Sequence, residues 1–397
     1  MASKELCEVV SGNSRFANKF YNFIAEEEKG KNVFFSPISA HTVLAMAYQG
    51  AAGKTAESFA STLHVSDQDS ASTGYSDVMK SLNSVEDVML HIANKIYVMD
   101  GFPLKEKFHK RAKDHFLSEA ESVNFAQSAE SAKKINGWVE DKTNSKIKDL
   151  IKPSVLDQLT RLVLVNAIYF KGNWAHPFRK EATIKEKFYI SETESVDCDM
   201  MHITKHFNYR DDEKLDAQVL EMKYSNKDVS MVFILPHKRT GIEELEKKLV
   251  DVDLSNITDG MRSMEVEVSL PKFKIETEMD LKSVLTKMGL GVIFEPGKAD
   301  FSEVSESDEP LYVSKVIQKA FIEVNEEGAE AAAATVYYPT VFDTANFRTF
   351  CANHPFNILL QHNNTLSVSV LFFGNVINPS GGEVIVTRLN KKWLCCF

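Results

Sequence analysis

EEGAEAAAATVYYPTVFD, residues 326–343, lies between two apolar runs and fits neither helix nor strand. Alanine is the best helix former, yet Gly328 stands ahead of the run, and β-branched residues, Tyr337, Tyr338 and Pro339 follow it. The local signals disagree over a whole segment. A chain that places small and acidic residues there has a reason other than regular structure.

Outward from that segment, the 397 residues contain no Pro/Gly/Ser-rich linker or long charge run that would divide them, so one large domain is expected. Hydrophobic residues make up 44% of the chain, enough for a substantial core. The net charge of −10 and the absence of a basic cluster with interleaved aromatics argue against nucleic acid or an anionic membrane as partner. Apolar runs such as LVLVNAIYF and MVFILP are far shorter than a membrane span, and MASKELCEVV lacks the apolar centre of a secretory signal. A cytoplasmic location is the expectation, with secretion as the alternative if a signal has been removed. Five cysteines, odd in number and irregularly spaced, form no disulfide framework and fit a reducing compartment. Asn256-Ile257-Thr258 and Asn363-Asn364-Thr365 match the glycosylation pattern, which matters only after secretion.

Ser36-Pro37 predicts a helix start, with serine as N-cap and proline at the first helical position. The residues from there to Tyr48 are apolar nearly all round, so that helix should be buried. Ala132, Ile135 and Val139 place an amphipathic helix over 128–143. From Leu162 onward strands dominate: LVLVNAIYF, MVFILP, VEVSLPKFKI and LSVSVLFFGNVI are β-branched and aromatic. EMDLKSVLTKMGL, 278–290, is expected as a helix among them. The order is neither βαβα nor all-β, so the class is α+β. Residues 380–397, which open on Ser380 and the pair Gly381-Gly382, read as an appended tail carrying Cys395 and Cys396, with disorder left open.

Four local patterns invite chemistry. GAAGKT, 50–55, is close to a phosphate-binding loop, but Tyr48 stands where the first glycine belongs and a helix precedes it, so a turn explains it better. Cys198, His202 and His206 would share a face of a helix as soft metal ligands. Their surroundings read as extended, which spreads them over more than about 20 Å. Cys351 and His354 lack a third orienting group for nucleophilic catalysis. Asn166, in the middle of LVLVNAIYF, is either a satisfied core amide or a polar latch that breaks when strands separate. Trp174, just beyond, reads as plain core.

Taken together, these segments resemble the serpins over residues 13–379, the expected domain being 1–379. NVFFSPISAHTVLAMAYQGAAGKT is similar to the family's early buried helix, LVLVNAIYFKGNW to its central strand, and VSLPKFKIETEMDLKSVLTKMG to its later strand-helix unit. IQKAFIEVNEEGAEAAAAT resembles the strand and hinge before the reactive loop, and HPFNILL with VLFFGNVINP its closing strands.

The resemblance implies a single-domain fold of helices around a large β-sheet with an exposed reactive loop. It also implies a monomer without cofactor or metal that is not an enzyme. A target protease cuts the loop, and the hinge side inserts into the sheet as a new strand, trapping the protease as its acyl-enzyme. The hinge is then Glu327, Gly328, Ala329, Glu330, Ala331, Ala332, Ala333 and Ala334, whose small residues slide between strands while Glu330 projects to solvent. Ser36, Ser39, Asn166 and Gln318 correspond to the polar cluster beneath the opening strands, and Trp174 to the aromatic residue where the loop enters. Gln318 departs from the histidine often found there and removes a titratable group. Counting from Gly328 puts the scissile bond between Phe342 and Asp343; counting back from Pro355 lands on Thr344 instead. Phe342 implies a chymotrypsin-like serine protease as target. A papain-like cysteine protease is the alternative, and a non-inhibitory carrier or chaperone the rival class.

Overall fold

Ser36 begins a helix as its sequence predicts: its hydroxyl accepts from Ser39 N at 3.3 Å and Pro37 opens the first turn. The computed structural model describes residues 3–328, 348–364, 367–381 and 385–386. Along the first half run α1 (Lys4–Glu27), β1 (Val33–Phe35), α2 (Pro37–Tyr48), α3 (Gly53–Leu63), α4 (Gln68–Asn83), β2 (Val88–Met99), α5 (Glu106–Phe116), β3 (Glu119–Val123), α6 (Ser128–Lys142) and β4 (Leu162–Gly172). The second half holds β5 (Ile184–Tyr189), β6 (Ser195–Asp212), β7 (Ala217–Lys223), β8 (Val229–Pro236), α7 (Ile242–Leu249), β9 (Arg262–Pro271), β10 (Phe273–Asp280), α8 (Lys282–Leu285), β11 (Val313–Val324), β12 (Arg348–Cys351), β13 (Phe356–Asn364), β14 (Ser367–Val376) and β15 (Ile385–Val386).

Two sheets organise these elements. One is six-stranded in the order β15-β10-β11-β4-β2-β3; the other is nine-stranded, β1-β14-β13-β8-β7-β6-β9-β12, with β5 beside β6. Because side chains alternate along a strand, β4 serves both faces of the smaller sheet. Val163, Val165, Ala167 and Tyr169 pack with Ala132, Ile135 and Val139 of α6. Leu162, Leu164, Ile168 and Phe170 join the main core with α1, α2 and the larger sheet.

Two sequence expectations are corrected. VEVSLPKFKI is not one strand: it breaks at Lys272, where Lys272 N bonds Asp199 O at 2.8 Å, and β9 and β10 enter different sheets. Pro271, with no N–H to give a ladder, marks the corner. Nor is 278–290 one helix. Glu278, Met279 and Asp280 pair with Lys319, Gln318 and Ile317 of β11, so tertiary pairing overrides local helix propensity. The helix begins only at Lys282, and Gly289, at φ +111°, interrupts it. Of the tail, Ile385 and Val386 lie parallel to Thr277 and Glu278 on the outer edge of β10; residues 387–397, with Cys395 and Cys396, lie outside the described residues.

His41, fully buried in α2, donates through Nε2 to Leu63 O at 3.1 Å and accepts from the Tyr75 hydroxyl at Nδ1. Burial holds the imidazole neutral and lowers its pKa to about 3 from 6.5. The unfolded chain takes up the proton that the native state refuses. Native stability is therefore fully present above pH 6.5 and falls as pH drops toward about 3, at about 1.4 kcal/mol per pH unit from this residue. A His41→Gln variant should flatten the acid limb of a stability-versus-pH series by about one proton.

Candidate functional site: a polar ladder and a hinge

β4 and β11 are parallel neighbours in the six-stranded sheet. Gln318 of β11 stands opposite Asn166 of β4, and Asn166 opposite Asn94 of β2, so three amides form one row across three strands. The row faces the start of α2. Gln318 Nε2 donates to Asn166 Oδ1 at 2.5 Å and to Ser36 O at 2.9 Å, while its Oε1 accepts from Ser36 N at 3.0 Å. Asn166 Nδ2 donates to both Ser39 Oγ and Asn94 Oδ1, and Ser39 Oγ donates to Asn94 Oδ1 at 3.0 Å. Ser36 Oγ donates to Leu371 O at 2.6 Å, tying the cluster to β14.

The sequence-predicted residues Ser36, Ser39, Asn166 and Gln318 thus meet in one network, with Asn166 wholly buried. Asn94 was missed. Its signal was the same as that of Asn166, an amide inside the apolar run HIANKIYVM. Any widening between β4 and β11 must break the Gln318–Asn166 bond. Gln318→Leu would leave the Ser36 N–H and the Asn166 carbonyl buried without partners. It should cost about 2–3 kcal/mol, read as a lower urea midpoint of the uncleaved protein with unchanged slope.

At the end of β11 the chain turns at Glu326, Glu327 and Gly328. Gly328 has φ +74°, and a Cβ there would stand 2.6 Å from both Gly172 O and Trp174 N, so only glycine fits. Trp174, 3% exposed, donates from its indole Nε1 to Asn325 O at 3.0 Å and from its backbone to Glu327 O at 3.1 Å. Its ring stacks on Tyr224 with centroids 4.4 Å apart. Trp174 is therefore more than core filler: it holds the turn. Glu326 accepts from Thr183 Oγ1 at 2.8 Å and pairs with Lys272 at 3.0 Å, and Glu327 pairs with Lys180 at 2.5 Å. Burial works to raise the Glu326 carboxyl, but hydrogen bonds from Lys272, the backbone and Thr183 outweigh it and leave the pKa lowered. The hinge residues Ala329, Glu330, Ala331, Ala332, Ala333 and Ala334, and the scissile candidates Phe342, Asp343 and Thr344, lie outside the described residues.

The other patterns do not assemble into sites. Cys198, His202 and His206 lie along the extended β6, and no three metal-ligating side chains converge among the described residues. Burial pushes the Cys198 thiol up to about 11, while His202 bonds Ser269 Oγ at 3.0 Å. His354 meets Pro236 O at 2.8 Å through Nε2 and Asn353 Oδ1 at 2.9 Å through Nδ1, and burial raises the Cys351 thiol. That pair is no activated thiolate. GAAGKT covers the turn after α2 and, from Gly53, the first residues of α3.

The family profile described as Serpin (serine protease inhibitor) matches residues 11–379. The chain belongs to the serpin family. It is 40% identical to Alaserpin of Manduca sexta over 368 residues, covering 92% of this chain and 93% of that one. It is 37% identical to Antichymotrypsin-2 of Bombyx mori, covering 93% and 97%. Among solved structures, Serpin48 of the insect Tenebrio molitor superposes with a TM-score of 0.86 at 36% identity, covering 95% of this serpin and all of the other. The α+β serpin fold expected from the sequence is the fold observed, in a family whose description is serine protease inhibitor.

Proposed function

We propose that this serpin is a suicide-substrate inhibitor that traps its protease as an acyl-enzyme by inserting its cleaved loop between β4 and β11. One observation carries the reading: β4 and β11 are parallel and adjacent, and the chain leaving β11 enters a turn in which Gly328 N bonds Asn325 O at 3.2 Å and Gly328 has φ +74°. A segment folding back from that turn would run antiparallel to both strands. Insertion therefore replaces one parallel ladder with two antiparallel ones, which pair slightly better per residue. Small residues at Ala329 and Ala331–Ala334 suit such a strand, since they enter between packed neighbours without displacing them.

The favoured target is a chymotrypsin-like serine protease cutting after Phe342, whose ring gains about 2–3 kcal/mol in an apolar specificity pocket. The relative named Antichymotrypsin-2 is in keeping with that choice. Papain-like cysteine proteases are the second reading, because Val341 or Phe342 supplies the bulky apolar residue they prefer one place before the cut. Asp343 brings a caspase into question, but Thr340 stands where an acidic residue is often wanted. The protein has no catalytic residue of its own in this mechanism. It acts as a monomer in the cytoplasm; glycosylation at the exposed Asn256 or at Asn364 in the native source would overturn the location. Incubation with each protease class, followed by a search for denaturant-resistant complexes, tests the function.

A further inference from the structure

Apart from the two residues of β15, β10 ends the six-stranded sheet among the described residues. It keeps one register with β11 from Phe273 opposite Val324 to Asp280 opposite Ile317, with no bulge and no proline. Its outer side is therefore a row of backbone donors and acceptors, which pairs with another chain unless something guards it. Charged side chains are a common guard, and β10 has four, but they are committed to β11. Glu276 and Glu278 lie 2.9 and 3.9 Å from the Lys319 ammonium, and Asp280 lies 3.0 Å from that of Lys315. Lys274 stands over the Phe321 ring, its ammonium 5.0 Å from the centroid.

The chain's own tail meets that edge. The family match ends at residue 379, and the chain on either side of that point is fixed. Asn32 Oδ1 accepts from Ile377 N at 2.7 Å and from Asn378 N at 2.8 Å, and Ser380 Oγ donates to Asp197 O at 3.2 Å. Two residues along β6, Asp199 O accepts from Lys272 N, just before β10. The tail thus leaves the body close to where β10 begins. Five residues on from Ser380 is Ile385, and five on from Lys272 is Thr277. Those two are partners in parallel register, followed by Val386 and Glu278. Two segments that start side by side and both advance at about 3.3 Å per residue arrive in that register without slack. Val384-Ile385-Val386-Thr387 is also the β-branched run of the tail, the composition that suits a strand.

We propose that the outer edge of β10 is a docking edge for an extended segment, that the tail occupies it through Ile385 and Val386, and that the tail thereby keeps it from pairing with β10 of a second copy. Two such edges related by a two-fold axis run antiparallel and are self-complementary, so a dimer is open to the uncapped chain. The cap does not depend on protease trapping and is tested on uncleaved protein.

The test variant is the full chain carrying Ile385→Pro and Val386→Pro, which removes both N–H groups of the tail strand and leaves the body untouched. Hydrogen–deuterium exchange is measured at a dilution where parent and variant are both monomers. Exchange across residues 277–279 should be at least about tenfold faster in the variant, and equal in the two proteins across β2. At higher concentration, sedimentation should show the variant as a dimer and the parent as a monomer. Equal exchange across 277–279 overturns the docking. So does faster exchange that extends to β2, which marks a loosened body instead of an opened edge. A variant that exchanges faster at the edge yet stays monomeric at every concentration overturns the cap.

Discussion

Cutting the loop of this serpin with a protease that it does not trap should raise its melting midpoint by about 12 °C. About ten new ladder hydrogen bonds, at roughly 1 kcal/mol net each, give a gain on the order of 10 kcal/mol. An unfolding entropy of about 2.1 cal/mol/K per residue then converts that gain into a shift of this size for a chain of 397 residues. The gain has a specific origin. β4 and β11 already pair in the uncleaved form, so insertion exchanges eight register pairs between Leu162–Tyr169 and Val313–Phe321 for two longer ladders. Of the amide row, the Gln318–Asn166 bond crosses that seam and would have to break for a strand to enter. An unchanged midpoint after complete cleavage would mean that no strand enters, and the rival carrier or chaperone class would be favoured.

Ala331→Arg should convert the inhibitor into a substrate. In an inserted strand, alternation puts residues 329, 331 and 333 on one face and Glu330 on the other. With Glu330 toward solvent, position 331 points inward, and a guanidinium there must be buried without a partner at a cost of several kcal/mol. Insertion then slows relative to release of the cleaved product, and each 1.4 kcal/mol of barrier shifts that partition tenfold. The loop should be cut at an undiminished rate. Moles of serpin consumed per mole of protease trapped should rise at least about tenfold. A variant that still traps with the parental stoichiometry would contradict the proposed direction of insertion.

Much of this was legible in the chain because the signals were local. The Ser36-Pro37 start of α2, the Ala132/Ile135/Val139 stripe of α6 and the continuous apolar run of β4 each state their own structure. Asn166 was legible as a problem, since an amide at the centre of LVLVNAIYF demands a partner, and the network of Gln318, Ser36 and Ser39 supplies it. What escaped the sequence depends on pairing between distant segments. Nothing in VEVSLPKFKI says that it turns from one sheet into another, beyond a proline that also fits an edge. Glu278–Asp280 look helical until β11 lies beside them. Asn94 joins the row only through its register with Asn166, and Tyr224 becomes part of the hinge only where Trp174 stacks on it.

The most direct test of the trapping mechanism is to mix the serpin with chymotrypsin, denature the mixture and weigh the products. The account predicts a covalent complex of one serpin chain, ending at Phe342, with one protease, together with a released peptide beginning at Asp343. Complete cleavage of the serpin with no denaturant-resistant complex, by chymotrypsin and by a lysosomal cysteine protease alike, would contradict it.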